Sequence, residues 1–511
     1  MTMRKRDAMI FLYCMLAAFA CLAVCSKSSP LYPINDWTDA NAYFSCGKGM
    51  LNGRVMYRDL YEHKGPLLYA LHALCCLIDP HSFLGVFLME GLAVAFFLMA
   101  AYRLLQLYGA EHTALYALPV IALTVLASVS FQQGDSAEEL CMPLLAWSLV
   151  SWLRWRRTKA PEPMARQSLI TAGVLFGCVL WIKFTMVGFY VPWIVGLWLY
   201  HARRREWRRA FSAVGWFAVG AGVATVPWLL YFGLNGSITI WLKTYLFDNI
   251  FLYQDVPALG LLGRGKAFLR AGWDWFRINP FYTAPMVAGL AWFALRKIRK
   301  GAATEEHRAD AGLASDRGER WLVLSAFAFT ALGVFIGGKS YLYYGLILAA
   351  FAPFGALPIC LPARRVPRVK RATRAALLCS LAIGAGLLGS AVSPNREDLF
   401  KPREQTMQYR FAAIVNQTPN ATLLNYGFMD AGFYTACNIA PTVKYFHQTN
   451  THLQEMYDEQ ARYVAQGVTD YVVTRGKQPA TITDRYELIA TEDAPEGFWY
   501  RQVFLYRLKE R

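Results

Sequence analysis

The chain has 511 residues, of which 56% are hydrophobic and only 17% are charged. A soluble protein of this length would form several domains with charges spread along them. Here the apolar residues stand mostly in blocks of about 18 to 25, long enough to cross a hydrocarbon core of roughly 30 Å. Much of the net charge of +17 lies in short linkers between the blocks. Basic residues have this distribution in the cytoplasmic loops of membrane proteins. The excess of positive charge is therefore not evidence for a nucleic-acid partner.

The apolar blocks predict the membrane topology. In chain order they lie at 8–25, 66–78, 83–105, 113–131, 138–153, 169–185, 187–200, 210–234, 279–296, 321–338, 341–361 and 374–392. If the block 66–78 crossed, the basic segment 154–157 and the basic loops after it would lie outside, against the positive-inside rule. That block is short and contains His72, so we predict a helix lying in the outer interface. The chain is then predicted to have about eleven transmembrane helices, with the N-terminus inside and the C-terminus outside.

The predicted outer regions are the long segments 26–82 and 235–278, a short loop near residue 135, and everything after residue 392. In this last part the apolar runs shorten and polar residues mix in. The predicted strands lie at Thr422–Tyr426, Tyr471–Thr474 and Val503–Arg507, and the predicted helices at 403–416 and 451–466. We therefore predict an α-helical polytopic membrane protein, with a transmembrane domain at 1–392 and a small extracytoplasmic α/β domain at 393–511.

Charged residues are concentrated in the first outer loop. Asp36 and Asp39 come early in it, and Glu62-His63-Lys64 comes immediately before the predicted interfacial helix. A carboxylate can take a proton from an attacking hydroxyl, and a cation can neutralise a phosphate that leaves on its lipid. The same charges are also compatible with ordinary solvated loop residues, and composition alone does not decide between the two.

Two elements of this loop carry a resemblance to a known family. Asp39-x-x-x-Tyr43 is followed, about two dozen residues after Asp39, by the run Tyr61-Glu62-His63-Lys64-Gly65-Pro66-Leu67-Leu68-Tyr69. Together they resemble the first-loop signature of GT-C glycosyltransferases, which include protein O-mannosyltransferases and the aminoarabinose transferase acting on lipid A. A bacterial branch that transfers cell-envelope sugars is more similar still. Weaker likenesses occur at Glu138-Glu139, at Gly337-Gly338-Lys339 with Tyr343-Tyr344, and at Met429-Asp430-Ala431-Gly432-Phe433-Tyr434.

The resemblance implies a GT-C-like fold and an inverting glycosyltransferase of the plasma membrane with its site on the outer face. Its donor would be a polyprenyl-phosphate-linked sugar, and its acceptor a cell-envelope glycan, lipid or protein. The family's general base corresponds to Asp39, with Asp36 as the nearby competitor, and its donor-phosphate lysine corresponds to Lys64. Glu62, His63 and Tyr43 are expected to contact substrate.

The chain departs from the family pattern at three positions. Ala40 follows Asp39 where the mannosyltransferase type has a second acid, and Gly65 stands where those relatives have proline. Tyr343 stands where the closer branch has histidine, and is a candidate substrate-binding residue. These departures bear on the substrate more than on the reaction class.

Further candidates follow from position alone. Lys183 and Lys339 stand at predicted outer ends of spans, where they fit donor-phosphate binding or simple snorkelling to the headgroups. Asp135, Glu138 and Glu139 in the second outer loop fit an acceptor site, a metal site, or a solvated turn with acids at a helix N-terminus.

No nucleotide or cofactor motif occurs, and neither the cysteines nor the histidines have metal-ligand spacing. No cofactor is therefore predicted, although the sequence leaves a divalent metal ion open. The alternative function is a transporter or flippase of a lipid-linked sugar, in which the same charges bind without chemistry. A transporter is expected to carry acids within its spans, and Glu90 is the clearest such residue. The large outer segments favour an enzyme.

Overall fold

The structure is a computed structural model that describes residues 3–158, 162–253, 260–295, 317–337, 341–362, 370–476, 481–494 and 501–510. Most of these residues are helical. In chain order the α-helices are α1 Met3–Cys25, α2 Thr38–Leu51, α3 Pro66–Ile78, α4 Leu84–Leu107, α5 Glu111–Leu126, α6 Ala137–Thr158, α7 Arg166–Ile182, α8 Tyr190–Ala202, α9 Trp207–Leu234, α10 Ile238–Leu242, α11 Leu261–Ile278, α12 Pro280–Leu295, α13 Arg317–Phe335, α14 Pro353–Cys360, α15 Arg371–Val392, α16 Met407–Val415, α17 Phe433–Ala436, α18 Gln454–Gln466 and α19 Ile482–Arg485. Short 3₁₀ helices occur at Val129–Phe131, Phe184–Phe189 and Tyr344–Phe351, and a π-helix at Lys243–Leu252.

The chain divides into two compact units, each built from separated segments. The helical unit comprises Met1–Ser26, Met89–Pro227 and Asp255–Glu397. The loop–sheet unit comprises Lys27–Leu88, Trp228–Gln254 and Asp398–Arg511. The C-terminal segment thus packs in one unit with the first outer loop, and the predicted domain boundary at residue 392 stays a prediction.

Several of the described helices are suited to a bilayer. Within the described residues, five helical segments are long and apolar enough to cross a membrane, and they are Lys5–Cys25, Leu84–Leu107, Trp207–Leu234, Arg317–Phe335 and Ala372–Val392. In α9, four apolar side chains are exposed, namely those of Val219, Val223, Val226 and Leu230. Their spacing of three and four residues places them on one face of the helix, as expected for contact with lipid. The predicted polytopic helical architecture is confirmed, while the count of eleven spans and their orientation remain predictions.

The block predicted to lie in the interface forms α3. This helix has 13 residues, so it is about 20 Å long, shorter than a hydrocarbon core of roughly 30 Å. It packs on α2, where a Cβ on Gly47 would lie 2.6 Å from the backbone nitrogen of Ala73. Glycine at this position therefore allows the two helix backbones to approach closely. Leu74 and Leu77 remain exposed on the other side of α3.

A four-stranded sheet completes the loop–sheet unit. Its strands are β1 Leu423–Tyr426, β2 Tyr471–Thr474, β3 Tyr486–Asp493 and β4 Gln502–Leu508, in the order β1-β2-β4-β3. The β1–β2 pair is parallel, with Leu423 opposite Tyr471, and the other two pairs are antiparallel. The three predicted strands are confirmed. The edge strand β3 was missed because its residues are largely exposed and polar, without a clear apolar alternation.

Candidate functional site

Asp39 lies in the first turn of α2, in the loop–sheet unit. A carboxylate there is favoured by the helix dipole, and α2 has no side-chain cap at Trp37. One helical turn later, Tyr43 donates its hydroxyl to Asp39 Oδ2 at 3.1 Å. Both side chains are buried. The Asp39-x-x-x-Tyr43 element is therefore a single hydrogen-bonded pair on one helix face.

Lys64 is held by its backbone just before α3 begins at Pro66. Its N–H donates to Glu62 Oε2 at 3.0 Å and to the hydroxyl of Tyr69 at 2.8 Å. Its carbonyl accepts from the hydroxyl of Tyr57 at 2.7 Å. Glu62, Tyr57 and Tyr69 are all fully buried. Since buried polar groups fix the chain on both sides of this peptide, the direction of the Lys64 side chain is set by the loop itself.

The side chains of this segment form a row in which one acid is followed by two basic residues. Glu62 Oε1 lies 3.2 Å from His63 Nδ1, and His63 Nε2 lies 3.3 Å from Lys64 Nζ. Complete burial would raise the pKa of the Glu62 carboxyl, but His63, Lys64 and the hydrogen bonds from Tyr69 and the Lys64 N–H lower it to about 2. Glu62 is therefore an anion, and its negative charge interacts favourably with the neighbouring His63 and Lys64 side chains.

At the Lys64 end of this row, the Glu62-His63-Lys64 segment meets the Asp39–Tyr43 pair of α2. Lys64 Nζ lies 3.9 Å from Asp39 Oδ2, and 5.9 Å from the ring centroid of Tyr43. The Asp39 and Lys64 side chains are 9% and 7% exposed. A proton acceptor and a cation thus lie side by side in a largely buried site, where electrostatic effects are stronger than at the surface.

The C-terminal segment contributes His447, which the sequence analysis missed. It is buried, and its Nδ1 accepts from the backbone N–H of Asp430 at 3.4 Å. Burial lowers the pKa of His447 to about 4, even though the carboxylates of Glu62 and Asp39 act to raise it. Nothing around residue 447 in the sequence points to this neighbourhood, because the likeness to the known family ends before it, at Tyr434.

The structure gives Asp36, the competing base, a different partner. Its carboxylate accepts from Lys27 Nζ at 2.9 Å, and the same ammonium binds Asp398 at 2.6 Å. Burial would lower the pKa of Lys27, but the two carboxylates reverse this and raise it. Asp36 therefore takes part in an ion-pair triad that fastens the start of the loop to the C-terminal segment.

In the helical unit, Lys183 is buried rather than extended toward headgroups. Helix α7 ends at Ile182, and the extended backbone at Lys183 turns its side chain inward. Its ammonium binds Glu138 and lies 3.8 Å from the ring centroid of Tyr344 and 5.4 Å from that of Tyr343. The structure thus brings together three of the predicted residues, namely Lys183, Glu138 and Tyr343.

The other acids of the second outer loop pack with Glu90 in the same unit. The Asp135 N–H donates to Glu90 Oε1 at 2.7 Å and to Glu139 Oε2 at 3.0 Å, and Ser26 donates its hydroxyl to Glu90. Asp135 has a positive φ of 66°, so the turn before α6 is held in a conformation that costs energy. Glu90, Asp135 and Glu139 are fully buried, which excludes the interpretation of a solvated turn.

Lys339, a predicted phosphate-binding residue, lies outside the described residues. Within the described residues, no group of three or more His, Cys, Asp or Glu side chains has the arrangement of a metal site.

Comparisons with known proteins identify the fold. No family model matches the chain, and no curated protein matches it. Among solved structures, ArnT from Cupriavidus metallidurans bound to undecaprenyl phosphate has a TM-score of 0.60 at 13% identity, covering 99% of this chain and 98% of that chain. The apo state of ArnT gives the same values. The oligosaccharyltransferase AglB from Archaeoglobus fulgidus, in complex with an inhibitory peptide and a dolichol-phosphate, has a TM-score of 0.44 at 12% identity, covering 93% of this chain and 70% of that chain. The chain therefore has the fold of ArnT, which is the GT-C fold predicted from the first outer loop.

Proposed function

We propose that this protein is an inverting glycosyltransferase of the plasma membrane, with its site on the outer face. It moves a sugar from a polyprenyl-phosphate-linked donor to a cell-envelope acceptor, which is a glycan, a lipid or a protein. The observation that carries the proposal is the 3.9 Å approach of Asp39 and Lys64 in a buried cluster. A second support is the fold, which the chain shares with a protein whose structure contains undecaprenyl phosphate.

Asp39 is the general base of the proposed reaction. It takes the proton of the acceptor hydroxyl, whose oxygen then attacks the anomeric carbon of the donor sugar. The bond between that carbon and the phosphate oxygen breaks, and attack from the opposite face inverts the configuration. The hydroxyl of Tyr43 holds the Asp39 carboxylate in place, which keeps the base oriented before substrate arrives.

Lys64 binds the phosphate that leaves on the polyprenyl chain. Negative charge grows on this phosphate as the bond breaks, so a fixed ammonium stabilises the transition state more than the ground state. His63 and Glu62 position that ammonium. Lys183 and Lys339 stay in the proposal as the alternative cations, and Asp135, Glu138, Glu139 and Tyr343 as candidate substrate contacts.

The decisive experiment measures sugar transfer by purified protein in nanodiscs. A labelled polyprenyl-phosphate sugar is supplied with a panel of envelope-glycan acceptors, chosen from the glycans that change in a deletion strain. The proposal expects labelled acceptor from the wild type and about a hundredfold less from Asp39→Asn. The transporter alternative expects the lipid to bind and to cross a vesicle membrane, with no product from any donor and acceptor pair.

A further inference from the structure

His447 is tied to the first outer loop through its own segment. The backbone N–H of Tyr61, directly before Glu62, donates to the carbonyl of Lys444 at 2.9 Å. The rings of Tyr61 and Tyr445 lie 5.3 Å apart, centroid to centroid. The segment that carries His447 therefore runs beside the chain that carries Glu62, within the loop–sheet unit.

The hydrogen bond to Asp430 defines which nitrogen of His447 carries the proton. The Asp430 backbone is fixed because its carboxylate accepts from Asn425 Nδ2 at 2.8 Å and from the Phe433 N–H at 3.0 Å. Its own N–H points at His447 Nδ1, so Nδ1 is an acceptor and the neutral ring carries its proton on Nε2. The low pKa of about 4 keeps the ring neutral at physiological pH.

The Nε2–H of His447 is a buried donor without a hydrogen-bond acceptor among the described protein atoms. The residue is 1% exposed. Leaving such a donor unsatisfied costs free energy, and native proteins rarely do so unless a water or a ligand supplies the acceptor. The side-chain charges that act on this ring include Glu62 and Asp39, which are members of the cluster described above.

We propose that His447 Nε2–H donates a hydrogen bond to a hydroxyl oxygen of the sugar bound beside Asp39, so that the C-terminal segment supplies a substrate contact. This inference rests on the proposed function. A neutral N–H donor suits a neutral hydroxyl group, because the Glu62 and Asp39 carboxylates that act on this ring disfavour an anion. The phosphate has the Lys64 ammonium instead. The hydroxyl belongs either to the donor sugar or to the acceptor glycan.

Two substitutions of His447 isolate the Nε2 donor. Both His447→Gln and His447→Leu disturb the contact with the Asp430 N–H, but only glutamine places an N–H donor near the position of Nε2. We expect His447→Leu to lower kcat/KM by about 10-fold or more, and His447→Gln to recover most of that loss. His452→Leu, at an exposed position of the same segment, should leave kcat/KM unchanged.

Substrate titrations identify which sugar is contacted. A loss confined to the donor KM assigns the hydroxyl to the donor sugar, and a loss confined to the acceptor KM assigns it to the acceptor. Equal kcat/KM for the leucine, glutamine and wild-type proteins overturns the inference while leaving the proposed function intact. Equal losses in both variants, with equal falls in thermal stability, also overturn it, because they indicate a structural role.

A binding measurement keeps the inference testable if no product forms at all. The affinity of polyprenyl-phosphate sugar is compared with that of polyprenyl phosphate without sugar, for the wild type and for His447→Leu. A contact with the donor sugar predicts that His447→Leu weakens binding of the glycosylated lipid about 10-fold and leaves the sugar-free lipid unchanged. A contact with the acceptor instead predicts that His447→Leu weakens binding of the envelope-glycan acceptor. Parallel affinities of the two proteins for both substrates overturn the inference. Absence of product from the wild type, by contrast, counts against the proposed function alone.

Discussion

The carboxylate of Asp39 lies 3.9 Å from the ammonium of Lys64, and both side chains are largely buried. An acceptor hydroxyl that approaches Asp39 meets a carboxyl group that can take its proton, and a phosphate that approaches Lys64 meets an ammonium that can donate hydrogen bonds to it. Bound substrates must therefore interact with both groups or separate them. Removing Asp39 and removing Lys64 should affect the reaction in different ways.

Substitution of the two acids in this loop distinguishes the base from a structural acid. Asp39→Asn preserves size and hydrogen bonding to Tyr43 but removes the proton acceptor, so turnover per folded protein should fall by about a hundredfold or more. Asp36→Asn weakens the ion pair with Lys27, so Tm should fall while turnover per folded protein persists. The reverse pattern would transfer the role of base to Asp36.

Tyr69 is predicted to be a positioning residue for Lys64. Its hydroxyl donates to Glu62 and accepts from the Lys64 N–H. Tyr69→Phe leaves buried polar atoms with one partner fewer, so we expect a lower Tm and about 10-fold lower turnover. Tyr457→Phe removes a hydroxyl from a side chain that is 37% exposed, and is the matched control. Wild-type turnover in Tyr69→Phe would remove Tyr69 from the support of the site.

The acid stability of the protein should depend on Glu62. Its pKa in the folded protein, about 2, lies below the ordinary value of 4.5. Ionised Glu62 therefore stabilises the fold fully above about pH 4.5, and this contribution is lost as the pH falls toward 2. Glu62→Gln lacks the charge at every pH. The Tm gap between wild type and Glu62→Gln should be largest near neutral pH and narrow below pH 4.5; a constant gap down to pH 3 would contradict this assignment.

Local sequence patterns predicted the parts of the site that lie within one element. Asp39 and Tyr43 are four residues apart, and helical periodicity alone places them on one face. The pairing of Asp39 with Lys64 has no such local pattern, and it was expected only from the resemblance of the two motifs. His447 follows Asp39 by several hundred residues, and its contact depends on how the C-terminal segment packs. Such long-range packing leaves no periodic signal in one sequence.

Lys183 illustrates a second limit of sequence reasoning. A lysine at the end of an apolar helix extends to the headgroups when its stem points outward along the helix. The backbone at Lys183 is extended, with φ of −156°, and this turn directs the ammonium to Glu138 and the ring of Tyr344. The hydrophobic pattern defines where a helix ends, but it does not define the backbone direction after that end.

Membrane topology can be checked by labelling single cysteines. If α3 lies in the interface, His112→Cys and Glu162→Cys should react only with reagents that enter the cytoplasm, and Asn450→Cys should react with impermeant reagents. All three positions are exposed. Were α3 to cross the membrane, every one of these accessibilities would be inverted, because one added span changes the parity of all later segments. A Cys379→Ser background removes the exposed native cysteine.

Lys64→Met tests leaving-group stabilisation and separates an enzyme from a lipid binder. Methionine keeps much of the apolar stem and deletes the charge. Because negative charge develops on the phosphate during bond breaking, turnover should fall by about a hundredfold, while affinity for the polyprenyl-phosphate donor falls less. Equal losses of affinity and of kcat/KM would mean that Lys64 contributes to ground-state binding only.

The matched control is Lys444→Met, which breaks a partly exposed ion pair with Glu455 at 3.4 Å. This substitution should change turnover and donor affinity little. Unchanged turnover in Lys64→Met would remove Lys64 from the site and leave Lys183 and Lys339 as the candidate phosphate-binding cations.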